Sequence, residues 1–239
     1  MPVSQQVYLL DAGNTQLKLA FAQDGLIQWV KHYTLAQFPL KSLDSNIPLA
    51  FSSVVNDDFS DLLKTHFAKV FEVKNKINLP FTMLYKSPET LGKDRLCNAA
   101  ALSQVAIGKP RLAIDLGTCI KFDFVNEQQE YLGGSISPGL QMRAKALAYY
   151  TAKLPELPIS PTQQFIGNSS QTSIEIGTFL GWQKEIEGLL NAYLERYPDL
   201  VVYLTGGDAV HFDMGQKIGI FVHENLTLEG ILSLYHSNE

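Results

Sequence analysis

The sequence predicts an α/β protein made of two copies of one unit, each a mixed sheet flanked by helices. Three observations carry this. An Asp-x-Gly hairpin stands at Val7–Phe21 (VYLLDAGNTQLKLAF) and returns at Leu112–Val125 (LAIDLGTCIKFDFV). Each copy is followed by a third strand and then by helices alternating with strands. The second copy begins near the middle of the 239 residues. Such a repeat marks a duplicated domain with a ligand between its halves. The expected division is 1–110 and 111–239, with a tight boundary at Lys109-Pro110.

In the first hairpin an apolar run ends at Asp11, and Ala12, Gly13, Asn14 and Thr15 make a polar turn. Leu17, Leu19 and Phe21 then restore alternation, which reads as an antiparallel strand pair. Gly13 admits positive φ and close approach of a ligand. Asn14, Thr15 and Lys18 add donors to the exposed amides, so the loop can hold a phosphate. Asp11 could hold a metal–water shell against that phosphate. In the second copy Asp115 matches Asp11, Gly117 matches Gly13, Thr118 matches Thr15 and Lys121 matches Lys18. One copy alone would read as an ordinary turn. Two copies with matched Thr and Lys favour phosphate binding.

The intervening segments follow in order. Gly25–Tyr33 is a third strand, Leu49–Val55 a short buried strand, and Asp57 or Asp58 caps a helix ending near Phe67. Ala68–Lys74 is another strand. An Ala-rich helix spans Leu96–Ile107, with Asp94 at its N-cap position. As a functional residue, Asp94 would be a carboxylate poised to accept a proton from a substrate hydroxyl. In the second half, Tyr131–Ser137 is a strand, and Pro138-Gly139 opens a helix over Leu140–Ala152. Lys153–Phe165 is a Pro-rich surface loop, a candidate lid or subunit contact. Ser169–Tyr197 has helical periodicity, with Thr172 at a capping position. Leu200–Leu204 is a buried strand leading into Thr205-Gly206-Gly207-Asp208-Ala209, a turn that lets a nucleotide lie against backbone. Gly219–Val222 is the last strand and Thr227–His236 the closing helix.

Composition narrows the function. The chain is 46% hydrophobic and 18% charged, with net charge −5 and no basic cluster, which argues against a nucleic-acid surface. Cys97 and Cys119 are the only cysteines, so neither a disulfide framework nor a zinc site is expected. The first apolar run meets Asp11 too early for a signal peptide, and no apolar run is long enough to span a bilayer. A cytoplasmic protein is expected. The phosphate loop is not of the Walker A type, since no GxxxxGK[ST] occurs.

Together these motifs resemble the acetate kinase, sugar kinase, Hsp70 and actin superfamily, and within it the type III pantothenate kinases. The matching segments are DAGNTQLK (Asp11–Lys18), YKSPETLGKDR (Tyr85–Arg95), DLGTCIKFD (Asp115–Asp123), GGSISPG (Gly133–Gly139) and TGGDA (Thr205–Ala209). The resemblance implies duplicated ribonuclease H-like, actin-like ATPase domains. It implies that Asp11, Ala12, Gly13, Asn14, Thr15, Gln16, Leu17 and Lys18, with Thr118, contact Mg-ATP. It makes Asp94 the general base toward the primary hydroxyl of pantothenate. Tyr85, Gly92, Lys93, Asp94, Arg95 and Thr172 would hold pantothenate, and Asp115 a monovalent cation, potassium or ammonium. It further implies a homodimer acting in the first step of coenzyme A synthesis. One departure stands out: many members follow Gly-Thr with Ala and then, two residues on, Thr, whereas this chain has Cys119 and Lys121. An ammonium at Lys121 can replace a bound ion's charge. The rival readings are a kinase for another small alcohol and a non-catalytic regulator of the same fold.

Overall fold

The computed structural model describes residues 5–13, 16–212 and 219–239. Asn14 and Thr15, two of the expected phosphate contacts, lie outside the described residues. The chain begins with strands β1 (Gln6–Ala12), β2 (Leu17–Gln23), β3 (Leu26–Tyr33) and β4 (Leu49–Ser53). Helix α1 (Asp57–His66), β5 (Val70–Glu72), β6 (Thr82–Met83) and α2 (Lys93–Leu102) follow. The second hairpin is β7 (Arg111–Leu116) and β8 (Cys119–Val125), with β9 (Glu130–Pro138) as its third strand. Helices α3 (Leu140–Tyr150) and α4 (Ser170–Arg196), strands β10 (Val201–Thr205) and β11 (Ile220–Val222), and helix α5 (Leu226–His236) complete the chain.

Two compact units emerge. The first holds residues 1–107, 128–132 and 225–239, the second 108–127 and 133–224. The first unit's sheet runs β3-β2-β1-β4-β5, antiparallel across β1–β2–β3 and parallel across β1–β4–β5. The other sheet has six strands in the order β6-β9-β8-β7-β10-β11, again antiparallel at β7–β8 and parallel across β7–β10–β11, with β6 parallel to β9 at its edge. Apart from the edge strand β6, the order β9-β8-β7-β10-β11 repeats β3-β2-β1-β4-β5, which is the duplication expected from the paired hairpins. Each unit has its own apolar core. The first gathers Leu10, Leu19, Phe51 and Leu63 beside the sheet, the second Ile114, Phe122, Trp182, Ile186 and Val202.

The units do not divide at residue 110 alone. Helix α5 belongs to the first unit, because it packs on α2 at contact distance: a Cβ at Gly230 would stand 1.8 Å from the Cys97 carbonyl oxygen. Its partner is far away in sequence, and its own periodicity does not reveal that partner.

Several local expectations need correction. Asn56, not Asp57 or Asp58, caps α1, its side chain accepting from the Phe59 amide. The two aspartates occupy the first turn instead, where they favour the helix dipole. Gly92 is the N-cap of α2 and Asp94 is its second residue; the helix starts earlier and stops at Leu102 rather than Ile107. Pro138 ends strand β9, and Gly139 is the residue that caps α3. The turn after β10 runs into a short 3-10 helix over Gly207–His211.

Candidate active site

In the first unit, sheet register sets β4 beside the Asp11 hairpin, and Lys93 ties helix α2 to β4. Asp11 is half-buried at the end of β1. It lies opposite Lys18 on β2 and opposite Ser52 on β4, and Ala12 lies opposite Ser53. Ala12 and Leu17 are buried core residues, so any contact of theirs with a ligand is made by backbone. The turn is closed by the Gly13 N–H donating to the Gln16 carbonyl at 3.1 Å, and the Gln16 side chain contacts His32 Nδ1 at 2.9 Å.

Helix α2 presents its start to the same place. The Asp94 Oδ1 accepts the Arg95 backbone N–H at 2.9 Å, which satisfies one of the helix's open amides and fixes the carboxylate. This oxygen lies over Gly92, where a Cβ would stand 2.6 Å from it. Glycine at 92 therefore leaves room for the Asp94 carboxylate. Lys93 turns away, donating to the Ser53 carbonyl at 3.2 Å and pairing with Glu72 at 3.5 Å, which ties α2 to β4 and β5. Arg95 is buried, with its guanidinium 5.8 Å from the Tyr85 ring centroid. The Tyr85 ring in turn lies 6.0 Å from that of Tyr131. The aromatic face helps to hold the buried guanidinium in place.

One thiol registers both acidic groups. Burial pushes the Cys97 thiol well above its ordinary pKa, and the carboxylates of Asp11 and Asp94 push it the same way. Ser52 hydrogen-bonds to it. Both carboxylates thus lie within electrostatic reach of one buried sulfur. From the sequence, Cys97 bears only on disulfides and zinc, and Ser52 and Ser53 are given no role. The available signal was a pair of serines inside an otherwise apolar strand, LAFSS, all five of whose residues are buried.

In the second unit the matching hairpin is gripped on two sides. The Gly139 N–H donates to the Thr118 carbonyl at 3.1 Å, and a Cβ there would stand 2.2 Å from the Gly117 carbonyl oxygen. Gly206 takes φ +93°, and a Cβ there would stand 2.4 Å from the Leu116 carbonyl oxygen. Thr205 lies opposite Asp115 in the parallel β7–β10 ladder. Asp115, Thr118 and the Thr205–Gly206 turn therefore share one corner, with Thr118 exposed at the tip. Thr172, on α4 of this unit, closes a capping box with Ser169. Its hydroxyl accepts the Asn168 and Ser169 amides at 3.1 Å, the capping role its position predicted.

The Asp115 environment bears on the monovalent cation. Lys121 Nζ stands 2.7 Å from Asp115 Oδ2, and the two side chains are only 15% and 12% exposed. The carboxylate already holds a cationic partner from its own chain, so these residues do not fit a separate potassium or ammonium ion.

Comparison with known proteins decides the family. The model of the type III pantothenate kinase family matches residues 7–192. The chain belongs to the type III pantothenate kinase family. It is 34% identical to a type III pantothenate kinase of Christiangramia forsetii, across 97% of this chain and 98% of that one. With the type III pantothenate kinase of Cytophaga hutchinsonii it shares 36% identity, across 96% and 98%. Among solved structures, a conserved Campylobacter jejuni protein assigned to the Baf family of transcriptional activators matches with TM-score 0.64 at 19% identity, covering 96% of this chain and 97% of that one. The ethanolamine utilization protein EutJ of Carboxydothermus hydrogenoformans matches with TM-score 0.53 at 14% identity, covering 98% and 90%. At these identities the two structures speak for the fold alone. The family match spans both hairpins, the Tyr85–Arg95 segment and Thr172.

Proposed function

We propose that this chain transfers the γ-phosphoryl group of ATP to the primary hydroxyl of pantothenate, giving 4'-phosphopantothenate and ADP, the first step of coenzyme A biosynthesis. Membership of the type III pantothenate kinase family carries the substrate. The observation that supports the chemistry is the Asp94 carboxylate. It is held at the start of α2 by the Arg95 amide, with Asp11 of the phosphate hairpin in reach of the same Cys97 thiol.

In this reading the Asp11–Lys18 hairpin and its Lys18 ammonium hold the ATP phosphates, and Thr118 is a further ATP contact. The Asp11 carboxylate would hold the water shell of a magnesium ion brought with ATP, which would supply charge neutralisation to the phosphates. Tyr85, Gly92, Arg95 and Thr172 hold pantothenate, and the buried Arg95 meets its carboxylate. Lys93 serves this group by anchoring α2 through Ser53 and Glu72. The pantothenate hydroxyl oxygen attacks the γ-phosphorus, the bond to the β–γ bridging oxygen breaks, and Asp94 accepts the hydroxyl proton. The transition state is loose, so the proton moves late and catalysis is mainly positioning and charge neutralisation.

The chain works as a homodimer in the cytoplasm in this reading. Exposed Tyr149, Tyr150, Phe165 and Ile166 give the second unit apolar surface to bury. No helix among the described residues is long and apolar enough to cross a membrane. The test is product identity. The purified chain is incubated with Mg-ATP and, separately, pantothenate and a panel of other small primary alcohols, and the products are read by mass spectrometry. Phosphorylated pantothenate as the preferred product is expected. Preference for another alcohol, or no transfer to any, would overturn the reading.

A further inference from the structure

We infer that Lys121 is a built-in cation for the second hairpin, so that this enzyme takes no potassium or ammonium ion at Asp115. The inference rests on the reading of this corner as part of the ATP site. Asp115 is buried at the end of β7, where a bare carboxylate would be costly and would repel an incoming polyphosphate. Something must match its charge. Lys121 does so at 2.7 Å from Oδ2.

Three features make the arrangement fixed. Lys121 is the direct cross-strand partner of Asp115 in the β7–β8 ladder, so sheet register, not a mobile loop, sets its reach. The turn between them is held by the Gly139 amide on the Thr118 carbonyl and by Gly206 against Leu116. Both charged side chains are mostly shielded from water, so the pair is weakly screened. The other carboxylate oxygen, Oδ1, turns toward Gly117, where a Cβ would be 3.4 Å away. An ammonium and a potassium ion carry the same charge, and a second cation beside Oδ2 would meet the repulsion of the first. In the first hairpin Asp11 also lies opposite Lys18 in the strand register.

The test needs no pantothenate. The full chain is placed in potassium chloride or choline chloride at equal ionic strength, and both its thermal midpoint without nucleotide and its Kd for Mg-ATP are measured. Wild type is expected to show the same midpoint in both salts and ATP affinities within about two-fold, since screening is matched. Lys121→Thr is expected to bind ATP about ten-fold more weakly in choline, the order expected from losing one neighbouring charge, and to regain most of that in potassium. A wild-type midpoint or ATP affinity that rises saturably with potassium would overturn the inference. So would a Lys121→Thr loss that potassium does not restore, since Lys121 would then act on the nucleotide itself. If Lys121→Thr does not fold, the two wild-type arms decide. If ATP does not bind at all, the kinase reading has failed, and the midpoint without nucleotide still answers the cation question.

Discussion

The two Asp-x-Gly hairpins share a pattern, a sheet position and a cross-strand Asp–Lys pairing, yet different neighbours surround them. Beside the first lie the buried serines of β4 and the start of α2, with Asp94 and a buried arginine. Beside the second lie two glycine backbones pressed on the turn, and its aspartate is matched by Lys121. The lesson is that a duplicated motif repeats a backbone, and what packs against each copy sets the two apart. In this molecule the first copy is set beside the Asp94 carboxylate, and in the second the aspartate is paired with Lys121 and the turn is held by two glycine backbones.

The sharpest way to break this comparison is Asp94→Asn. Asparagine retains an acceptor for the Arg95 amide, so the fold and ATP binding should persist, while turnover falls by about 10²–10⁴-fold. Steady-state kinetics beside a nucleotide-binding isotherm checks it, and a turnover within a few-fold of wild type would remove Asp94 from the mechanism. Gly92→Ala should come next. Its Cβ would stand 2.6 Å from Asp94 Oδ1, and shifting that carboxylate by a fraction of an ångström should cost about 10–100-fold in turnover. The thermal midpoint should barely move, which separates misplacement from unfolding.

Gly206→Ala should act on stability instead. It would put a Cβ 2.4 Å from the Leu116 carbonyl oxygen at φ +93°, for a loss of about 1–3 kcal/mol in denaturant titration. Gly13→Ala offers the contrast: its Cβ would sit 3.2 Å from the Gln16 carbonyl oxygen, so the first hairpin should tolerate the change better. Equal losses at the two glycines would erase the claimed difference in grip. Asn56→Ala, three residues past the Ser53 that lies opposite Ala12, should lose about 1 kcal/mol with little change in kinetics, because a helix cap is removed and the β4 ladder is left intact.

Much of this was legible in the sequence, and the limits have physical causes. Strands and hairpins announce themselves through local alternation, and the repeated Asp-x-Gly turns exposed the duplication. The Asp115–Lys121 pairing also follows from local pattern, because a short turn fixes which residues face each other across the ladder. Contacts between distant segments were hidden. Nothing near Gly230 says that its missing side chain admits the Cys97 carbonyl, so α5 reads as part of the second half while it packs in the first unit. Gly139 looked like a helix opener and is also the clamp on Thr118. Asp94 looked like a cap because Asp commonly caps, but Gly92 holds that position and leaves the carboxylate room. Ser52 and Ser53 carried a signal, polar residues in a buried strand, whose meaning depended on the register with Asp11 and Ala12.

The central claim is most directly tested by ADP release from Mg-ATP with and without pantothenate. The account predicts ADP and phosphorylated pantothenate in equal amounts, formed only when pantothenate is present. ADP released at the same rate without pantothenate, or none with it, would contradict the account.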